Sequence, residues 1–301
     1  MKKLYGVMAV LFAIAGFSSQ VQAGEVYVNV TDLNNGTLGS YSAGDTLFVV
    51  GYEQLSATGW ATLKNETDID IIGGRGLPFS LVFGNGQTSI PKDAMRQNKM
   101  LVSVTGETVT SVGEWAFSRS GLQSVSMPAL ESIPEGTFAD CDHLASFELP
   151  RAKTIGRHAF QNNSSLTTIS LPATTVLETR AFYMASSLTE VSLPSVTEIG
   201  NEAFSGCTSL KVLRLGNADP SVRANAFTGV VGSNLTIYSN RRALTSGNYP
   251  SGYYLATSQK SGGGGGCDAT GAGLYLLLCA ALLLKRNGIR SSLFVYKSSR
   301  K

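Results

Sequence analysis

Apolar positions return along this chain with a period of 22 residues. The segments LQSVSMP, LASFELP, LTTISLP, LTEVSLP and LKVLRLG start at Leu122, Leu144, Leu166, Leu188 and Leu210, each 22 residues after the one before. An aromatic landmark, mostly Ala-Phe, keeps step at Phe117, Phe138, Phe160, Phe182, Phe204 and Phe227. Val112, Ile133, Ile155, Leu177, Ile199 and Val222 stand five residues ahead of these rings. Within a unit, LxxVxLP alternates as a short strand does, and its proline ends the strand by withholding a ladder donor. The following stretch, such as EIGNEAFSGC at 198–207, is expected to turn through a short helical or 3₁₀ segment and return the chain to the next strand.

A fixed period of this length predicts a solenoid of stacked coils. One coil offers about five core side chains, such as Leu188, Val191, Leu193, Ile199 and Phe204, and their burial falls well short of the entropy lost in ordering 22 residues. Neighbouring coils must therefore seal each other's apolar edge. Degenerate copies extend the pattern: SIPKDAM carries Ile90 and Met95, while FSLVFG (79–84) and NLTIYS (234–239) fit the strand position. The expectation is about eight coils over 79–239, forming a parallel sheet of short strands about 38 Å long at a spacing of about 4.8 Å. Residues 24–78 read as an N-terminal β cap or as diverged coils, with Leu47 and Ile69 22 residues apart. Residues 240–260 read as a C-terminal cap, or, from their three tyrosines, as an exposed aromatic ligand site.

Both ends of the chain carry address signals. Residues 1–23, MKKLYGVMAVLFAIAGFSSQVQA, combine two lysines, an apolar run and a small-residue cleavage site, the make-up of a secretory signal peptide. Residues 261–270 are glycine-rich and hold Cys267; an apolar stretch at 271–284 and a basic tail at 285–301 follow. The uncharged run Ala272–Leu284 spans about 20 Å as a helix, short of a hydrocarbon core of about 30 Å, and Lys285 and Arg286 orient the end after it towards the cytoplasm.

Charge and chemistry narrow the function. The formal charge of +3 hides a mildly acidic body: residues 24–266 hold 16 Lys+Arg against 20 Asp+Glu, a balance of −4. That argues against nucleic acid as a partner. No nucleophile elbow, P-loop or Cys/His metal spacing occurs, so no enzyme, cofactor or metal is expected. The four cysteines are Cys141, Cys207, Cys267 and Cys279. Cys141 and Cys207 occupy one repeat position three coils apart, about 14 Å along the stack, too far for a disulfide; they read as half-buried packing residues, with Ser120, Asn163 and Ala185 in the same position. Equivalent residues of adjacent coils line up in columns. Glu114 and Glu135 suggest a carboxylate pair, but Arg157, Thr179 and Asn201 continue that column, so it reads as a solvated turn surface. Arg180 and Glu202 are placed to bridge, and His143 and His158 read as ordinary exposed residues. The outward strand positions Ser126, Glu148, Ser170, Ser192 and Arg214 form the possible binding face, with Ser124, Ser146, Thr168, Glu190 and Val212 beside them. Small hydroxyl residues dominate it, and Arg214 is the one anchor of the kind that carries interfaces.

LxxVxLP followed by xxIGxxAFxxCxxL resembles the BspA-like leucine-rich repeats of bacterial and protist surface proteins. The resemblance covers about 160 residues and implies a leucine-rich repeat solenoid of the α/β class, a right-handed superhelix used for attachment or recognition, with no catalytic residues to carry over. The tail beginning GGGGGCDA resembles the CTERM sorting signals, most closely the Synerg-CTERM type. That implies recognition by a membrane sorting protease, with processing or lipid attachment near Cys267; the residues NGIRSSLFVYKSSRK after the basic pair are longer than such signals carry. The expectation is an exported, non-enzymatic surface protein that relies on the export machinery and meets a protein or glycan ligand at the cell envelope. The competing expectations are a polysaccharide-acting envelope enzyme on a β-helix scaffold and a purely structural coat protein.

Overall fold

The computed structural model describes residues 21–22, 24–51, 54–67, 76–241 and 243–257. Residues 1–20 and 23 of the expected signal peptide, Ile69, the glycine-rich segment with Cys267, Cys279, the apolar stretch at 271–284 and the basic tail lie outside the described residues. Among the described residues no helix is long and apolar enough to cross a membrane.

Two lanes of parallel strands run along a stack of coils. The long lane contains Glu25–Asn29, Thr46–Val50, Phe79–Phe83, Leu101–Gly106, Ser124–Ser126, Ser146–Glu148, Thr168–Ser170, Glu190–Ser192, Val212–Gly216, Thr236–Ser239 and Tyr254–Thr257. The short lane is built from two-residue strands, among them Thr154–Ile155, Val176–Leu177, Glu198–Ile199 and Ser221–Val222. Alternation decides which side chains enter the core. In the long strand Glu190–Ser192 only Val191 is buried, while Leu188, Leu193, Ile199 and Phe204 close the same coil from other sides.

The aromatic landmarks form one continuous stack. Successive ring centroids from Phe117 through Phe227 lie 5.2–5.6 Å apart, and Phe117 through Phe204 are fully buried. Each coil thus roofs the next, as a 22-residue unit without a core of its own requires.

The array is longer than the sequence suggests, about ten coils rather than eight. At its start, residues 24–51 and 54–67 supply two coils whose strands pair in parallel, Val26 with Leu47 and Leu47 with Leu81. The partner of Leu47 is therefore Leu81 and not Ile69. These coils lack the Ala-Phe landmark because helices, Val30–Asn34 and Ala57–Thr67, take the place of the turns, and Trp60 packs on Phe83 with centroids 5.4 Å apart. The strand Val21–Gln22 pairs antiparallel with Glu25–Val26 and covers the first edge. At the other end, residues 240–257 form a further coil: Tyr249 continues the aromatic stack 5.8 Å from Phe227, and Tyr254–Thr257 pairs in parallel with Thr236–Ser239.

The turns after Ile155, Leu177 and their equivalents are not helical. Each holds two residues with positive φ four positions apart: Trp115 and Arg119, Gly136 and Asp140, His158 and Asn162, Arg180 and Met184, Glu202 and Gly206. A left-handed residue costs a side-chain-bearing position about 1–2 kcal/mol. Here it aims alternate N–H groups at the neighbouring coil. His158 donates to the Thr179 carbonyl at 3.1 Å, Phe160 to that of Ala181 at 2.8 Å and Asn162 to that of Tyr183 at 2.8 Å. The turn side is thus a second inter-coil hydrogen-bond ladder, which an isolated helical turn would not provide.

Cys141 and Cys207 are fully buried, not half-buried, and both are free. Their column has a hydrogen-bonding task. Cys141 Sγ donates to the Phe117 carbonyl at 3.1 Å, Asn163 Nδ2 to that of Phe138 at 3.0 Å, and Cys207 Sγ to that of Phe182 at 3.2 Å. Burial pushes the Cys141 thiol up to about 11 and the Cys207 thiol up to about 12.

Candidate functional site

The outward positions of the long lane come together in register, with one interruption. Ser126 pairs with Glu148, and Ser126 Oγ donates to Glu148 Oε2 at 3.0 Å. Ser170, Ser192 and Arg214 form a second run. Between the runs the sheet splits. At that point Phe147 fills the inward slot that Val125, Ile169, Val191 and Leu213 hold in other coils, and its half-buried ring stacks on Phe160 at 4.7 Å. A ring in a slot shaped for a branched aliphatic side chain displaces the strand that carries it.

Beyond Arg214 the face changes character. Its registered neighbour is Tyr238, and Thr236, next to Val212, is paired with Tyr254. The Arg214 guanidinium lies 4.6 Å from the centroid of the Tyr238 ring, and its Nε donates to Glu190 Oε1 at 2.6 Å. Tyr254, 68% exposed, is the most exposed of three exposed large apolar side chains among the described residues. Arg and Tyr are the residues that anchor interfaces. The sequence offers Arg214 as an anchor and, beside the cap reading, an exposed aromatic site within 240–260; that Tyr254 shares a lane with Arg214 follows only from the strand Tyr254–Thr257, for which the alternation of YYLAT (253–257) is the sequence signal.

The turn surface sorts as follows. Glu114 is bridged to Lys92 at 2.8 Å, so Glu114 and Glu135 do not act as an isolated pair. Arg180 and Glu202 form the expected bridge, and the Arg180 guanidinium lies 5.2 Å from the Tyr183 ring; exposed pairs of this kind contribute at most about 1 kcal/mol. His158 Nδ1 lies 2.6 Å from Gln161 Oε1. Among the described residues no group of three His, Cys, Asp or Glu is arranged to hold a metal.

A groove of about 840 Å³ opens along the short lane between Arg157 and Asn248. It brings together Arg157, Glu178, Glu198 and Arg223, and includes Thr179 and Asn201 from the column that continues Glu114 and Glu135. Glu198 is bridged to Arg223 at 2.9 Å, and Glu178 accepts the Arg157 backbone N–H at 3.1 Å.

A 22-residue register, a buried Phe stack and inter-coil ladders on both sides define a leucine-rich repeat solenoid. The family model for the BspA type leucine rich repeat region matches residues 79–183 and 175–256, in six copies. This is more than half of the chain, which belongs to that family. Its description names a repeat and no reaction. No curated protein matches the chain. Among solved structures, a leucine-rich repeat protein from Bacteroides ovatus is similar at 26% identity, over 56% of this chain and 49% of that one, with a TM-score of 0.45. This chain thus spans about half the length of that protein. The leucine-rich repeat protein of T. pallidum is similar at 20% identity over 79% of this chain and 82% of its own, with a TM-score of 0.36. A leucine-rich cell surface protein from Faecalibacterium prausnitzii is similar at 13% identity over 81% and 93%, with a TM-score of 0.26.

Proposed function

We propose that this protein is an exported, non-enzymatic repeat protein of the cell envelope that recognises a protein partner through the C-terminal end of its long-lane face. The observation that carries this reading is the cluster of Arg214 over Tyr238, held by Glu190, beside the exposed Tyr254. It gathers three anchor-type side chains on a face whose other outward positions are mostly Ser and Thr, with Glu148, Glu190 and Val212 among them. The polar positions Ser126, Glu148, Ser170 and Ser192 supply the polar flank that an interface needs around such anchors. Export is supported by the sequence of residues 1–23, and anchoring by the Cys267 segment, the short apolar stretch and the basic tail. In this reading a membrane sorting protease acts near Cys267 and leaves the repeats on the outer side.

The test is a binding screen of the purified protein against host-matrix and cell-surface proteins, followed by Arg214→Ala and Tyr254→Ala. The expected result is a ligand whose affinity each substitution lowers at least tenfold. Absence of any ligand would favour a structural coat role. For the tail, Cys267→Ala is expected to change the ratio of membrane-attached to released protein; unchanged processing and attachment would remove the sorting role.

A further inference from the structure

The groove on the short lane lies where the repeat's glycine position, also held by Gly113 and Gly156, is flanked by charged residues in the coils on either side. Directly after the buried apolar residue of three successive short strands come Glu178, Gly200 and Arg223. The missing side chain at the centre is enforced by packing, because a Cβ on Gly200 would lie 2.6 Å from the carbonyl carbon of Glu178. Gly200 thus packs tightly against the coil before it and lines the groove floor between Glu178 and Arg223, which stand two coil spacings apart, about 9.6 Å. The groove, about 840 Å³ in volume, is open to solvent and lined mainly by polar atoms.

The lining chemistry narrows the ligand. The two carboxylates and two guanidiniums of Glu178, Glu198, Arg157 and Arg223 cancel in formal charge. Glu198 and Arg223 satisfy each other, whereas Glu178 receives only a backbone N–H. Among the described residues neither the Arg157 guanidinium nor the Asn201 amide has a protein partner. An anionic ligand reaching Arg157 would also face both glutamates. A hydroxyl group donates and accepts at once, so a polyol satisfies Glu178, Asn201 and Arg157 without adding charge. No aromatic side chain lines the groove, so stacking does not hold the ligand; hydrogen bonds repeated at each coil do. A coil spacing of about 4.8 Å is close to the length of one sugar unit in an extended chain.

We infer that the groove over Gly200, between Glu178 and Arg223, binds a short stretch of a neutral linear glycan. This site lies on a different lane from the Arg214 cluster and does not depend on it. The experiment is calorimetric titration of the full chain with cellotetraose, maltotetraose and chitotetraose, with tetragalacturonate as the charged comparison. At least one neutral tetrasaccharide is expected to bind, and more tightly than tetragalacturonate. Asn201→Arg, which fills the groove from an exposed position, is expected to abolish binding while circular dichroism and the melting temperature stay unchanged. Glu178→Gln, which keeps the shape and weakens the acceptor, is expected to lower affinity about tenfold. The inference is overturned if no neutral tetrasaccharide binds at millimolar concentration, if tetragalacturonate binds more tightly, or if a folded Asn201→Arg or Glu178→Gln protein binds as the parent does. Arg214→Ala is expected to leave glycan binding unchanged, so the loss of one site is read separately from the loss of the other.

Discussion

The rings of Phe160 and Phe182, 22 residues apart in the chain, stack with centroids 5.2 Å apart and planes 4° from parallel. Each is fully buried by the coil that follows it. The stack, more than any single coil, is what the repeat encodes. Removing a ring from its middle exposes two neighbours to a void. Phe182→Ala is expected to cost about 3–5 kcal/mol, read as a fall in the denaturant midpoint. Tyr254→Ala on the outer face is expected to stay within about 0.5 kcal/mol, so the two substitutions separate core from surface.

Asn163 does in one coil what cysteines do in others, and does more of it. Its Oδ1 accepts from the Cys141 backbone N–H at 3.0 Å while its Nδ2 donates to the Phe138 carbonyl at 3.0 Å, all of it buried. Asn163→Ala strands two buried backbone groups, each worth about 1–3 kcal/mol. It is expected to destabilise clearly more than Cys207→Ala, which frees one carbonyl from a weak S–H donor. Urea titration of the two variants side by side decides the order.

Much of this was legible in the sequence, and the misses have physical causes. The Phe and Leu columns were visible because an inward position tolerates little besides a large apolar side chain. The left-handed turns were not, because Trp115, Arg180 and Glu202 are poor left-handed formers whose conformation is imposed by bonds to the next coil. The first two coils were hidden by their helices, and the last by Tyr249 standing where Phe was sought. Tyr238 stands in the expected strand NLTIYS, whereas Tyr254 joins its lane only through the pairing of Tyr254–Thr257 with Thr236–Ser239. The groove was not legible because Arg157, Glu178, Asn201 and Arg223 belong to four different coils and meet only in the folded stack.

Two glycines make a matched pair for close packing. Gly200 would bring a Cβ to 2.6 Å from backbone, whereas Gly247 has nothing within 4 Å. Gly200→Ala forces two coils apart and is expected to cost about 1–3 kcal/mol. Gly247→Ala is expected to be neutral or slightly stabilising. Thermal melts of both proteins check the contrast.

The buried thiols make stability depend on alkaline pH. Burial raises the folded-state values of Cys141 to about 11 and of Cys207 to about 12, while an unfolded cysteine titrates near 8.5–9. Above about pH 9 the unfolded chain loses these protons and the native state keeps them, so unfolding is progressively favoured. The stabilising contribution is complete below about pH 8.5 and is lost as pH rises through 11–12. Urea midpoints are expected to fall between pH 8 and pH 10.5, and Cys207→Ala to flatten the fall. The same burial leaves both thiols unreactive to a thiol reagent until the protein unfolds.

Native-state amide hydrogen exchange tests the stacking of coils most directly. The N–H groups of Phe160, Asn162, Phe182 and Phe204 each donate across to the next coil at 2.7–2.8 Å, although they sit in turns. The expected result is slow exchange at all four, with protection close to that of Val191 in the long lane. Fast exchange at these turn amides while Val191 stays protected would contradict the sealing of each coil by its neighbour.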